Sequence, residues 1–267
     1  MDNMMNTPLS MEPTSPGVSP LPEKFGTRKK LLLVGLLLGI GGLVVWSNVW
    51  KSNLTVSTVT VEGNVIVDAN EILQLAHVKE GALMYDLDLA EIQKNVSSNF
   101  FVRDAVVERD LPSTIRVTVI ERSPITMVNH GNILYLDEEG VVLPHSISKE
   151  TFDLPILSGL PAGVPFKVGS TVENRDVQES LRILVASKTV SSELYHLISE
   201  IRLRNGGDIV LYSAERGVPI IFGHGDVASK MVRLETFWNE IVRERGAQHL
   251  QYVDLRFADQ IVVRWKS

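Results

Sequence analysis

The sequence predicts an α+β protein: an N-terminal tail, one transmembrane helix, a small β-α-α-β-β module and then a β-rich mixed α/β domain. Three observations lead there. Residues 31–50 run twenty positions without a charged side chain, between Lys30 and Lys51. The next seventy or so residues alternate strand and helix patterns. Beyond residue 123, short β-rich runs are interrupted by two stretches with apolar residues at helical spacing. The expected boundaries are 1–30 for the tail, 31–50 for the span, 54–122 for the module and 123–267 for the second domain.

At about 1.5 Å rise per residue the apolar run reaches roughly 30 Å, the thickness of a bilayer core, whereas the apolar part of a cleavable signal is about 7–15 residues long. Lys24, Arg28, Lys29 and Lys30 precede it and Lys51 alone follows. Because the positive flank stays in the cytoplasm, Arg28, Lys29 and Lys30 are expected to hold the N-terminus inside and place everything after the span outside the cytoplasmic membrane. Trp46 and Trp50 mark one rim. Gly35, Gly39 and Gly42 share a face on which a second helix could pack, although a Leu/Gly-rich span gives such spacing by chance as readily. Residues 1–22 are rich in Pro, Ser, Asn and Met with almost no charge, and are expected to be a disordered cytoplasmic segment.

Residues 56–61 alternate as a strand does, and Gly63-Asn64 ends the run with turn residues. Asp68, three residues before Glu71, is a capping signal for a helix burying Ile72, Leu75 and Ala76. Asp88 and Glu91 repeat the device ahead of Leu89, Ile92 and Val96. Residues 101–108 and 114–121 are alternating strands joined by Arg109-Asp110-Leu111-Pro112-Ser113.

In the second domain, residues 134–142 read as a hairpin turning at Asp137-Glu138-Glu139-Gly140. Residues 155–165 form a turn-rich connection, and 177–190 a helix burying Leu181, Leu184 and Val185. Strands are expected at 198–203, 209–212 and 219–222, the first two joined by Asn205-Gly206-Gly207-Asp208. Asp226 is expected to cap a long helix to Arg245 that buries Val227, Met231, Leu234, Trp238, Ile241 and Val242 on a mixed sheet. Two strands, 251–257 and 261–265, close the chain around Ala258-Asp259-Gln260.

Composition narrows the function. A net charge of −6 with no Lys/Arg cluster beyond the juxtamembrane site argues against a nucleic-acid partner. The absence of cysteine excludes disulfides, thiol catalysis and Cys-based zinc sites. The six histidines are scattered without HExxH, so neither metal nor cofactor is expected. Ser146 and Lys149 form a Ser-x-x-Lys without the other transpeptidase motifs, and no enzyme is read from it.

Val59-Thr60-Val61-Glu62-Gly63-Asn64, Val107-Glu108-Arg109 with Leu111-Pro112-Ser113-Thr114-Ile115, and Glu121-Arg122-Ser123-Pro124 stand in order behind one span. In the second domain Leu134-Tyr135-Leu136-Asp137-Glu138-Glu139-Gly140-Val141-Val142, Phe222-Gly223-His224-Gly225-Asp226 and Tyr252-Val253-Asp254-Leu255-Arg256-Phe257 follow. Together these resemble the FtsQ/DivIB family of bacterial cell division proteins, whose first extracytoplasmic module is of the POTRA type. The resemblance implies a non-enzymatic, single-pass scaffold of the inner membrane at the division septum, bound to FtsB-like and FtsL-like bitopic division proteins and to other divisome components. It also implies that the last strand is an open edge receiving a strand from the FtsB-like partner, with Arg256, Phe257, Asp259, Gln260 and Trp265 at the contact. Phe257 stands where the family commonly has Tyr, and Gln260 where Gly is common. The alternative is a POTRA-type module of envelope protein assembly, which would carry several such repeats and a barrel.

Overall fold

The computed structural model describes residues 26–145, 152–204 and 207–266. The expected tail up to residue 25, the Ser146/Lys149 pair and Asn205-Gly206 of the expected turn lie outside these residues.

The N-terminal unit holds one helix, α1 (Thr27–Ser52), whose 26 residues extend about 39 Å at 1.5 Å each. Its stretch Arg28–Lys51 is long and apolar enough to cross a membrane, which fits a single-pass membrane protein. A Cβ added at Gly35, Gly39 or Gly42 meets nothing within 4 Å.

From Leu54 onward the chain forms a second unit built on two sheets. The first holds β1 (Thr58–Glu62), β2 (Val102–Asp110) and β3 (Thr114–Glu121) in the order β1-β3-β2, with β1 parallel and β2 antiparallel to β3. Between β1 and β2 come α2 (Ala69–Ala76) and α3 (Leu89–Val96). Both start where their caps predict: the Asp68 carboxylate accepts the Asn70 N–H, and the Asp88 carboxylate accepts those of Ala90 and Glu91. Ile72, Ala76, Ile92 and Val96 are buried, with Ile115, Val117 and Val119 from β3 in the same core.

The second sheet has nine strands. In chain order they are β4 (Pro124–His130), β5 (Asn132–Asp137), β6 (Val142–Pro144), β7 (Ile156–Ser158), β8 (Ile198–Leu203), β9 (Ile209–Ser213), β10 (Pro219–Ile221), β11 (Leu250–Asp254) and β12 (Val262–Trp265). Their spatial order is β12-β11-β10-β9-β8-β7-β4-β5-β6, so β12 and β6 are its two edges. Parallel pairs β4·β7, β7·β8 and β10·β11 among antiparallel ones make the sheet mixed, as the sequence predicts. The helices α4 (Arg175–Val190), α5 (Ser192–Leu197) and α6 (Val227–Phe237) cover it, with Leu181, Leu184, Met231, Leu234 and Trp238 in its core. Tyr135, Val141 and Leu143, from the β5–β6 hairpin, pack instead into the core of the three-stranded sheet.

Four expectations are corrected. Asp226 does not cap α6 through its side chain: its backbone is left-handed, φ 48°, and its carboxylate faces Arg233 at 3.7 Å. The long helix is not uniform either, because residues Trp238–Val242 form a π turn before the last helical residues, Arg243–Arg245. The extra residue in that turn rotates the face, so Ile241 is 37% exposed while Val242 is buried. The turn-rich connection at 155–165 contains β7, which pairs on both sides. Finally, β11 stops at Asp254, three residues short of Phe257, because the Asp254 carboxylate accepts the backbone N–H of Arg256 and turns the chain.

Candidate partner-binding edge

Among the described residues the last strand pairs with β11 alone. Its register against β11 sets Val262 opposite Asp254, Val263 opposite Val253, Arg264 opposite Tyr252 and Trp265 opposite Leu250. Lys266 N–H donates to His249 O at 2.7 Å. The one irregularity of the ladder lies on β11, between Leu250 and Tyr252, so alternation along β12 is unbroken. Lys266, Arg264 and Val262 therefore bond inward to β11, and the peptide N–H and C=O of Val263 and Trp265 point to the open side.

Side chains alternate in the same way. Ile261, Val263 and Trp265 pack against the margin of the large core, and the Arg245 guanidinium lies 5.4 Å over the Trp265 ring. Arg264 and Lys266 are exposed.

The other expected contact residues lie in the loop between β11 and β12 rather than on a strand. Phe257 is 45% exposed, so it is not a core residue. Asp259 turns the chain with φ 56°, a left-handed conformation that Asp tolerates better than most residues, and Gln260 beside it is exposed. Arg256 is anchored. Its Nε lies 3.0 Å from Asp254 Oδ1 and its Nη2 2.8 Å from Oδ2, while Nη1 reaches the exposed Asp208 at 3.1 Å. The stem crosses Gly223 (φ 66°), where a Cβ would sit 2.8 Å from the Arg256 Cγ. Burial works against the Asp254 carboxylate, but the Arg256 hydrogen bonds outweigh it and hold its pKa below the usual carboxylate value.

Beside this loop lies a polar network that the sequence does not announce. Glu179 on α4 and Lys230 on α6 are both buried. Glu179 Oε1 accepts the Gly225 N–H at 2.6 Å and Oε2 lies 2.7 Å from His224 Nδ1, while His224 Nε2 meets Gly207 O. A carboxylate and a carbonyl can only accept, so this pair of contacts favours the imidazolium, the form in which both ring nitrogens donate. The His224 pKa is accordingly raised, chiefly by the Glu179 hydrogen bond. Burial opposes ionisation of Glu179, but the Gly225 and His224 bonds outweigh it and lower its pKa. Lys230 Nζ donates to Phe222 O at 2.9 Å and His224 O at 2.7 Å, and burial pulls its pKa down. The network ties residues 222–226 to both helices and to the loop carrying Asp208. The only sequence signal was the Gly-His-Gly-Asp run before α6.

Among the described residues no group of three or more His, Asp or Glu is placed to hold a metal ion.

The sequence matches the POTRA domain, FtsQ-type, over residues 54–122 and the C-terminal domain of the cell division protein FtsQ/DivIB over residues 126–256. It is 32% identical over 253 residues to the cell division protein FtsQ of Rhodothermus marinus, covering 91% of this chain and 89% of that protein. The chain belongs to the FtsQ/DivIB family. The FtsQ proteins of Geotalea daltonii and a Geobacter species are 30% and 29% identical, over 73% and 85% of this chain and 70% and 82% of theirs. The match to the FtsQ-type POTRA description covers α2, α3 and the three-stranded sheet, and the C-terminal match ends at Arg256, within the loop that leads to β12. This family membership makes the chain a cell division protein with a POTRA domain.

Proposed function

We propose that the chain is a bitopic scaffold of the division machinery, with its N-terminus cytoplasmic and the unit from Leu54 onward outside the inner membrane, working at the septum. In this reading β12 accepts a strand from an FtsB-like single-pass partner, with an FtsL-like protein in the same assembly. The POTRA-type module helps place the protein at the division site. Family membership supports the division role, and the edge position of β12 carries the docking reading. An open edge offers unpaired N–H and C=O groups, so an incoming segment gains main-chain hydrogen bonds while its side chains set specificity.

Phe257 and Trp265 supply apolar contact area, and Gln260 and Asp259 set the turn that presents the strand. Asp254 holds most of the Arg256 fork, leaving Nη1, now shared with Asp208, as the arm that a partner carboxylate can take. Arg28, Lys29 and Lys30 set the orientation, and Gly35, Gly39 and Gly42 offer a packing face to another membrane helix.

The test is co-purification of the FtsB-like protein with full-length Phe257→Ala and Trp265→Ala variants from membranes. Each should weaken binding by about 1–4 kcal/mol if it is an interface anchor. Wild-type affinity in both variants, with unchanged melting, would sink the edge reading. A phosphatase reporter fused after Ser267 tests topology independently, since it should be active only outside the cytoplasm.

A further inference from the structure

We infer that the strand accepted by β12 is amphipathic in a fixed sense, acidic at the positions beside Arg264 and Lys266 and apolar at those beside Val263 and Trp265. The inference rests on the edge-pairing reading above and specifies the chemistry of the partner.

A strand added to β12 continues the pleat, so each of its side chains stands beside a β12 side chain on the same face. On one face the neighbours are Ile261, Val263 and Trp265, which already pack on the core margin. A polar residue placed there would lose water without gaining a partner, and apolar residues would extend the core outward. On the other face the neighbours are Val262, Arg264 and Lys266, of which the last two carry charge. Arg264 is exposed, stands opposite Tyr252, and takes part in no ion pair among the described residues. Lys266 Nζ donates to a backbone carbonyl, Gln248 O, at 3.1 Å and has no carboxylate partner among the described residues.

The local sign of charge is opposite to that of the whole chain. Net charge is −6, yet this edge presents Arg264 and Lys266, with Arg245 stacked over Trp265 at its rim. The acid nearest in the ladder, Asp254, is taken by Arg256. Opposite charges on neighbouring strands stabilise pairing and like charges oppose it, so the edge selects an acidic partner face and rejects a basic one.

The test uses the full-length protein in nanodiscs. The probes are three synthetic peptides of equal length that alternate Val with Glu, Val with Thr and Val with Lys. Binding is read from a fluorophore on the N-terminus of each peptide, which leaves β12 unaltered. Binding should rank Glu over Thr over Lys, with each acidic position worth roughly two- to fivefold in affinity. The spread should shrink as salt is raised from 50 to 300 mM, about the range over which exposed charges become screened. The double variant Arg264→Glu with Lys266→Glu, at exposed positions and checked for an unchanged melt, should invert the ranking. Equal binding of the three peptides, or an unchanged ranking in the double variant, overturns the inference while leaving edge pairing intact. Binding of none of the three overturns the edge-pairing reading itself, and this inference with it.

Discussion

Asp254 and Arg256 close on each other across a single residue: the carboxylate takes the Arg256 backbone N–H at 3.0 Å and its Nε and Nη2 at 3.0 and 2.8 Å. Asp254 is buried and Arg256 half-exposed, so the pair is anchored from the acid side. Asp254→Asn keeps an acceptor for the backbone N–H but loses the charged fork, and should cost about 1–2 kcal/mol, since solvent screens the exposed guanidinium. The pH dependence has a definite sign. A carboxylate with a lowered folded pKa contributes stability above its unfolded value of about 4, and that contribution is lost as pH falls through the folded value. Thermal melts of wild type and Asp254→Asn should therefore differ at pH 7 and converge only at the acid end.

His224 and Glu179 give the opposite dependence for the histidine. The folded pKa of His224 is raised, so its contribution is fully present below the unfolded value of about 6.5 and is lost as pH rises through the folded one. Replacing it by His224→Gln should lower the melting temperature most at pH 5.5–6, and the gap should narrow as pH rises beyond neutrality. A constant gap across that window would show that the imidazolium charge contributes nothing.

Glu121 sits at the end of β3 and its carboxylate accepts three successive N–H groups, from Val65 at 2.9 Å, Ile66 at 2.7 Å and Val67 at 2.8 Å. It fixes the loop between β1 and α2 from more than fifty residues away. Glu121→Ala strands these donors, those of Ile66 and Val67 being partly buried, and should destabilise by about 2–4 kcal/mol in denaturant titration. Glu121→Gln, which keeps one acceptor oxygen, should recover part of the loss.

What the sequence makes legible is local. The capping residues Asp68 and Asp88 mark their helices because the cap acts within three residues, and β3 falls on the expected positions 114–121 because its alternation is unbroken. The π turn at Trp238–Val242 leaves no trace, since Trp238, Ile241 and Val242 fit an ordinary helical stripe. β7 has only three residues and α5 six, too short for a period to emerge. Glu179 and Lys230 fall inside the two expected helices with no local pattern to mark their burial. What buries Glu179 is a loop 45 residues distant, and pattern within one helix carries no information about that. The same holds for the segment expected to meet a partner: Arg256 and Phe257 continue a β-like run, and the closure of Arg256 on Asp254 takes them off the strand.

Arg122 follows Glu121 and joins the two sheets. Its Nη1 lies 2.7 Å from Asp137 Oδ2 and 2.8 Å from Glu139 Oε2, and the two carboxylates raise its pKa although burial opposes them. The Asp137 side chain is 3% exposed, and its other oxygen accepts the N–H groups of Glu139 and Val141, which closes the β5–β6 turn. Arg122 therefore neutralises a buried carboxylate that the hairpin requires, and that hairpin sends Tyr135, Val141 and Leu143 into the core under the first sheet. Removing the cation leaves the charge uncompensated, so Arg122→Ala should destabilise by about 3–5 kcal/mol. Arg122→Lys keeps a charge but not the planar fork and should recover only part of it. A double-mutant cycle with Asp137→Asn decides the cause. If the charge pair is what matters, the two losses should fall short of additive by more than about 1 kcal/mol; additive losses would mean that Arg122 acts through packing alone.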